Sequence, residues 1–194
     1  MALIAQIPPR ATRKACREGL AEMIRYHRVP EDLPEVDTPQ QVYVLTLHEI
    51  VHGTGLPDPK PMVWEFLIGS VRGPVVAISV AHPPPGQPPR MTSVTRGPDP
   101  VEALQATRRV EKLPHVQEQN YELRRLWIAG LSLGAFWLRA LGNGPDLAVP
   151  YHTLDQELER MHAYPMDEFL AVVRPLAKKR LKFNDAPAQT KKKS

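Results

Sequence analysis

Apolar and polar positions alternate along the chain in short blocks, and proline punctuates almost every one. Over residues 11–28, Cys16, Leu20, Met23, Ile24 and His27 recur at intervals of three and four, with Arg13, Lys14, Arg17 and Arg25 on the other side. That period predicts an amphipathic helix with Thr12 as its N-cap, and Pro30 and Pro34 break the chain after it. Residues 63–69 and 74–81 are apolar runs separated by Ser70, Val71, Arg72 and Gly73, the pattern of a β-hairpin. The proline-laden stretch 82–90 suits only an extended loop, and 91–95 reads as a further strand.

Asp99 and Pro100 suit N-cap and N1 of a helix that continues to about residue 113, where Pro114 ends it. The least polar segment, 121–141, contains Gly130 and Gly134, which weaken a helix; two long strands joined near Ala129 and Gly130 are expected at the centre of a sheet. Residues 142–145 form a turn and 146–151 a short edge strand in which Pro150 is tolerated. Helical spacing returns at 154–161 and from 167 to about 183, where Phe169, Leu170, Val173, Leu176, Ala177 and Leu181 share the inner side and Pro175 introduces a kink. The pattern predicts a single α+β domain over residues 1–183. Its largely antiparallel sheet is drawn from 63–95 and 121–151, packed on one face by helices at 99–113 and 167–182, with the first helix as a flank.

Composition narrows this picture. A chain of 194 residues with 42% hydrophobic residues buries a substantial core, and 22 prolines favour many short elements. The single Cys excludes an intramolecular disulfide and a Cys-rich zinc module, and suits a reducing compartment. The N-terminal residues do not read as a secretion signal, so a cytoplasmic location is expected. The longest apolar-and-small run, 126–138, is 13 residues, short of the ~20 that span a membrane, so no membrane association is expected. The net charge of +4 is concentrated at the end of the chain: residues 178–194 carry seven basic side chains against Asp185, leaving the rest nearly neutral. Residues 184–194 have the polar composition of a disordered basic tail. Such a tail is solvated or touches nucleic acid electrostatically; without interleaved aromatics it offers no base-stacking surface.

One motif carries chemistry. His48, Glu49 and His52 form H-E-x-x-H. On a helix, histidines at i and i+4 project from one face and can give two imidazole nitrogens to zinc, while the glutamate polarises a metal-bound water. Two local readings stand. Thr38, Pro39 and Gln41 can open a helix through a capping box, with Gly53 at its C′ position; alternatively the apolar, β-branched residues 42–47 form a buried strand and 48–55 its exit turn, which separates the histidines.

Extended to Asp58, residues 48–58 resemble the metzincin zinc-binding consensus in its Asp-type, snapalysin-like variant. The resemblance implies Gly55 as the sharp turn, Asp58 as third zinc ligand beside His48 and His52, and Glu49 as the base of a peptidase. Separately, residues 121–126, 135–139 and 146–150, followed by a terminal helix, resemble a pattern in uncharacterised bacterial proteins, which implies the strand–strand–short strand–helix order without an activity.

The remaining candidates read as structural. His82, His115, His152 and His162 are scattered among loop residues; Cys16 lies on an apolar helix stripe, as an inert thiol would; Ser79, Ser93 and Ser132 lack a nucleophile-elbow setting; residues 142–144 lack the helix a phosphate loop needs. Arg124 and Arg125, beside Tyr121 and Trp127, read either as an anion or aromatic–guanidinium site or as strand-end charges bordering a buried run. The expected function is a non-enzymatic binding or assembly domain with a protein partner and no cofactor. The alternative is a zinc-dependent peptidase, and a minor third is nucleic-acid contact through the tail.

Overall fold

A computed structural model describes residues 3–31, 33, 38–53, 61–69, 75–84 and 86–184. In order, they form β1 (Leu3–Ile4), α1 (Arg10–Arg25), β2 (Thr38–Val44), α2 (Leu47–His52), β3 (Pro61–Gly69), β4 (Val75–Ala81), β5 (Met91–Arg96), α3 (Pro98–Val110), α4 (Pro114–Gln117), β6 (Tyr121–Ile128), β7 (Leu133–Ala140), β8 (Leu147–His152), β9 (Tyr164–Pro165) and α5 (Met166–Asn184). One sheet runs β5-β4-β3-β2-β6-β7-β8-β9, with β1 added beside β6. Its pairings are antiparallel except β2 with β6 and β1 with β6. The protein is thus an α+β single domain with a mostly antiparallel sheet.

The apolar pattern explains how the layers assemble. Along β7, Ala135 and Trp137 join the cluster under α5, while Phe136 and Leu138 join the cluster under α3. Successive strand residues point to opposite faces, so α3 and α5 cover opposite sides of the sheet. The expected placement of both helices on one face is therefore corrected: residues 121–149 are apolar on both faces and need cover on both. On the α5 side, α1 covers β3 and β4 through Ala15 and Cys16 against Phe66, Ile68, Ile78 and Val80.

Several local expectations change as well. Thr12 is buried inside α1, and Pro9 occupies the N-cap. Gly97 is the N-cap of α3, with Pro98 in its first turn in place of Asp99 and Pro100 as cap and N1. Residues 154–161 form turns rather than a helix; Thr153 Oγ1 accepts from the Asp155 N–H and Asp155 Oδ1 from that of Glu157, so side chains take donors a helix would have used. The strands expected at 63–69 and 74–81 pair as antiparallel β3 and β4, although their connecting turn lies outside the described residues. The strand–turn–strand expected around Gly130 is β6, a single 3₁₀ turn at Ala129–Leu131, and β7. Asn184, the first residue of the expected 184–194 tail, is the last of α5, and residues 185–194 lie outside the described residues. No helix among the described residues is long and apolar enough to cross a membrane.

Candidate functional sites on opposite faces of the sheet

Both readings of the H-E-x-x-H segment hold part of the truth. Residues 38–44 are strand β2, and the chain then turns into the short helix α2. Thr46 is its N-cap: the Glu49 N–H donates to Thr46 Oγ1 at 3.2 Å, while the Thr46 N–H and hydroxyl both donate to Glu49 Oε2 at 2.7 Å. This capping box, four residues into what reads as a strand, replaces the one expected at Thr38. Leu47 and Ile50 are buried in the α5 cluster, and Arg174 Nη2 donates to the Gly53 carbonyl at 3.2 Å, tying the far end of α2 to α5.

Leu47 and Ile50 therefore turn His48, Glu49 and His52 outward, and all three are exposed. The two imidazoles share a face, their ring centroids 4.3 Å apart. Glu49 is held by Thr46, whose backbone and side-chain donors push its carboxyl below the usual glutamate value. A carboxylate so engaged stabilises a helix start; serving as a base requires leaving that pairing. Asp58 and Gly55 lie outside the described residues, and no group of three or more metal-binding side chains occurs among the described ones.

The other constellation lies on the opposite face, under α3. Register pairs Gln40 with Glu65 and Val42 with Arg125, so Glu65 on β3 and Arg125 on β6 flank β2 on the same face. Val42 is small enough for the two to meet over it, and Arg125 Nη1 forms an ion pair with Glu65 Oε2. Arg125 is only 8% exposed. Its Nε donates to the Tyr151 hydroxyl at 2.6 Å. That contact crosses β7, and Gly134 makes room for it: a Cβ there would lie 2.6 Å from the Tyr151 ring. Tyr151 itself sits at the register shift between β7 and β8, where a bulge re-aims a side chain. Burial, partly offset by Arg125, raises the Tyr151 phenol above its ordinary value, and the Asp99 and Glu102 carboxylates add to the rise.

Helix α3 closes this track. Glu102 Oε2 lies 3.1 Å from His152 Nδ1, and Gln40 Nε2 donates to Thr107 Oγ1 at 3.1 Å. Between the start of α3 and the sheet opens a cleft of about 200 Å³ lined by Val42, Glu65, Ala77, Thr95, Asp99, Pro100, Arg125 and Trp127. Trp127 is half-buried and its indole lies 6.1 Å from the His152 ring.

Arg124, one residue away, faces the α5 side. Its guanidinium stacks on Trp137 at 4.5 Å and on Tyr43 at 5.0 Å, and Nε donates to Glu122 at 2.6 Å. This is the aromatic–guanidinium arrangement. Neither arginine sits at a strand end; both are buried within β6, which removes that reading. Glu65, Asp99, Glu102 and Tyr151 were not foreseen as site residues. The available signal was charge inside apolar runs: Glu65 within 63–69 and Arg125 within 121–128 each require a buried partner. Of the other expected residues, Cys16 is buried and its thiol is pushed up to about 12 by burial, against a smaller opposing effect of Arg17. His152 is brought to Glu102, whereas His115 is exposed beside Glu118 on α4.

No protein-family model, curated protein or solved structure matches this chain.

Proposed function

We propose that this chain is a non-enzymatic binding domain and that its ligand enters the cleft between α3 and the sheet. The carrying observation is the buried Glu65–Arg125–Tyr151 track at the base of a cleft with an indole wall. A rigid scaffold with a few fixed polar groups and an aromatic surface is how small-ligand sites are built. The groups at its base are suited to recognition rather than proton transfer. Arginine stays protonated, and Tyr151, with its raised value, remains a neutral phenol at neutral pH. The volume is below the ~300 Å³ at which drug-sized sites begin, which favours a compact ligand. The test is a nitrogen-15 NMR titration of the full chain with small amines, carboxylates, phosphate and monosaccharides. Saturable shifts at Thr95, Asp99 and the Trp127 indole N–H, lost in Trp127→Arg, are expected from at least one class. Shifts confined to other surfaces, or none, would sink the reading.

A zinc-dependent peptidase is the second reading, favoured by the facing rings of His48 and His52. It requires Asp58 as third ligand and Glu49 as base, and the latter requires that Glu49 exchange its Thr46 contacts for a water. Metal analysis of the purified chain decides it: about one zinc per chain, lost in His48→Ala, supports the reading, and zinc-free protein that stays zinc-free on reconstitution ends it. A cytoplasmic location and a protein partner accompany the binding-domain proposal, and the free, buried Cys16 suits the former. Nucleic-acid contact through the basic residues beyond 184 predicts affinity that falls steeply with salt.

A further inference from the structure

We infer that the cleft selects a small organic cation, an alkylammonium or guanidinium group held against Trp127 between Asp99 and Glu65. The inference rests on the binding-domain reading and specifies its ligand.

Arg125 is the one lysine or arginine among the described residues lining the cleft, and it is committed: Glu65 pairs with its Nη1 and Tyr151 accepts from its Nε. An anion entering here must compete with Glu65 for a guanidinium that is 8% exposed. Arg96, next to Thr95 on β5, lines a different cleft with His27 and Arg28. At the base, then, the positive charge is neutralised, while Asp99 adds a carboxylate at the exposed mouth.

The beginning of α3 reinforces this sign. A helix N-terminus ordinarily attracts anions through free backbone N–H groups. Here Pro98 and Pro100 have no N–H to offer, and the Asp99 carboxylate occupies the same turn. The feature that would have made an anion site thus lacks two of its donors and carries the opposite charge. Glu102, one turn along α3, is a further acidic group, shared with the His152 ring.

One observation independent of the acidic groups points to a cationic ligand, and an unused acceptor lies next to the cleft's Glu65 in the sheet register. Trp127 lines the cleft as a half-buried indole, the side chain whose face attracts cations most strongly. Gln40, paired in register with Glu65, is 1% exposed, and its Oε1 has no hydrogen-bond partner among the described residues. Gln40 Nε2 is already used on Thr107, so what is left unsatisfied on this side chain, under α3 and outside the cleft lining, is an acceptor. Within the cleft, carboxylates and an indole wall together recognise N⁺–H groups.

The test uses the full chain and named probes: agmatine, putrescine, tetramethylammonium, acetate and inorganic phosphate, titrated by NMR at low and high salt. Nα-acetylarginine amide stands for the same group presented by a protein side chain. Agmatine or putrescine should bind saturably at about millimolar Kd or tighter and shift Thr95 and the Trp127 indole. Asp99→Asn should weaken that binding at least about tenfold, and Thr95→Lys, which adds a cation at the mouth, should abolish it. Both positions are exposed, and native-like NMR spectra of the two variants verify that they fold. Tighter binding of the acetylarginine amide than of agmatine assigns the cation to a partner's side chain, and the reverse assigns it to a free metabolite; either supports the cation site. Acetate or phosphate binding at the cleft in place of the cations overturns this inference while leaving the binding-domain reading intact. Cation binding unchanged by Asp99→Asn and Thr95→Lys also overturns it. Silence from every probe overturns this inference, and silence from monosaccharides as well refutes the binding-domain reading with it.

Discussion

Removing Arg125 or Glu65 singly should destabilise the domain at least as much as removing both. Their side chains are 10% and 13% exposed, so truncating either strands a charge where water reaches poorly. Breaking a buried pair in this way costs about 3–5 kcal/mol. Because Glu65 borders the cleft and keeps some access to solvent, the lower end, about 3 kcal/mol, is expected for both Arg125→Met and Glu65→Leu. Arg125→Met also leaves the Tyr151 hydroxyl without the donor it now has at 2.6 Å. The double variant replaces two paired charges with two apolar side chains of similar volume on a face already packed by Leu67, Leu123 and Phe136. Such replacements are often neutral, so it should lose no more than either single variant. Urea unfolding, followed by circular dichroism and tryptophan fluorescence, measures this. With a slope of about 2 kcal/mol/M, each single variant should lower the midpoint by about 1.5 M. The reasoning fails if the effects add to within about 0.5 kcal/mol, the behaviour of uncoupled sites. Arg125→Lys is a further check: it keeps the charge but loses the planar fork that serves Glu65 and Tyr151 together, so it should recover only part of the loss.

Other consequences follow from individual contacts. Gly134→Ala places a methyl 2.6 Å from the Tyr151 ring; a loss of about 1–3 kcal/mol is expected, together with a shift of the Tyr151 resonances that Gly142→Ala, in open space, does not produce. The Cys16 thiol, pushed up to about 12, should resist Ellman's reagent in the native protein at pH 8 and react fully in guanidinium chloride; rapid native labelling would contradict its burial. Thr46→Ala removes the capping box of α2 and should cost about 0.5–1 kcal/mol in thermal or urea unfolding. Glu49 supplies a pH test of the same cap. Its carboxyl is held below the ordinary value in the folded protein by the Thr46 donors, so its stabilisation is complete above the unfolded value and fades as pH falls through the folded one. The stability gap between the natural chain and Glu49→Gln should therefore be widest at neutral pH and narrow below about pH 4; a gap that widens in acid would refute the assignment.

Legibility differed between the two sites for a physical reason. The H-E-x-x-H segment was visible because its histidines lie four residues apart, a spacing that a single helical turn converts into proximity. Its helical context was half-hidden: Val42–Val44 are β-branched or aromatic and read correctly as strand, while the turn into α2 depends on Thr46 and Glu49, a cap embedded in an apolar run. The cleft and the track beneath it join residues from β2, β3, α3, β6 and β8 whose side-chain contacts span 26 to 67 positions. No local period records such pairings, although the unpartnered charges of Glu65 and Arg125 in apolar strands announced that partners had to exist. With Asp99 as the N-cap, Pro98 would precede the helix; it lies instead in the first turn of α3, where a missing N–H costs nothing.

What the sequence by itself determined is most of the longer elements. Periods of two and of three to four, with prolines and glycines at their boundaries, are local properties of the backbone and need no tertiary information. They placed α1, the β3–β4 pair, the β6–β7 pair and α5 within a few residues. Only the tertiary structure decided that α3 and α5 cover opposite faces, that β2 inserts between β3 and β6, and that Arg124 and Arg125 therefore point into different surroundings. Strand order and side-chain pairing arise from burying two apolar faces at once, a constraint on the whole chain rather than on any window of it.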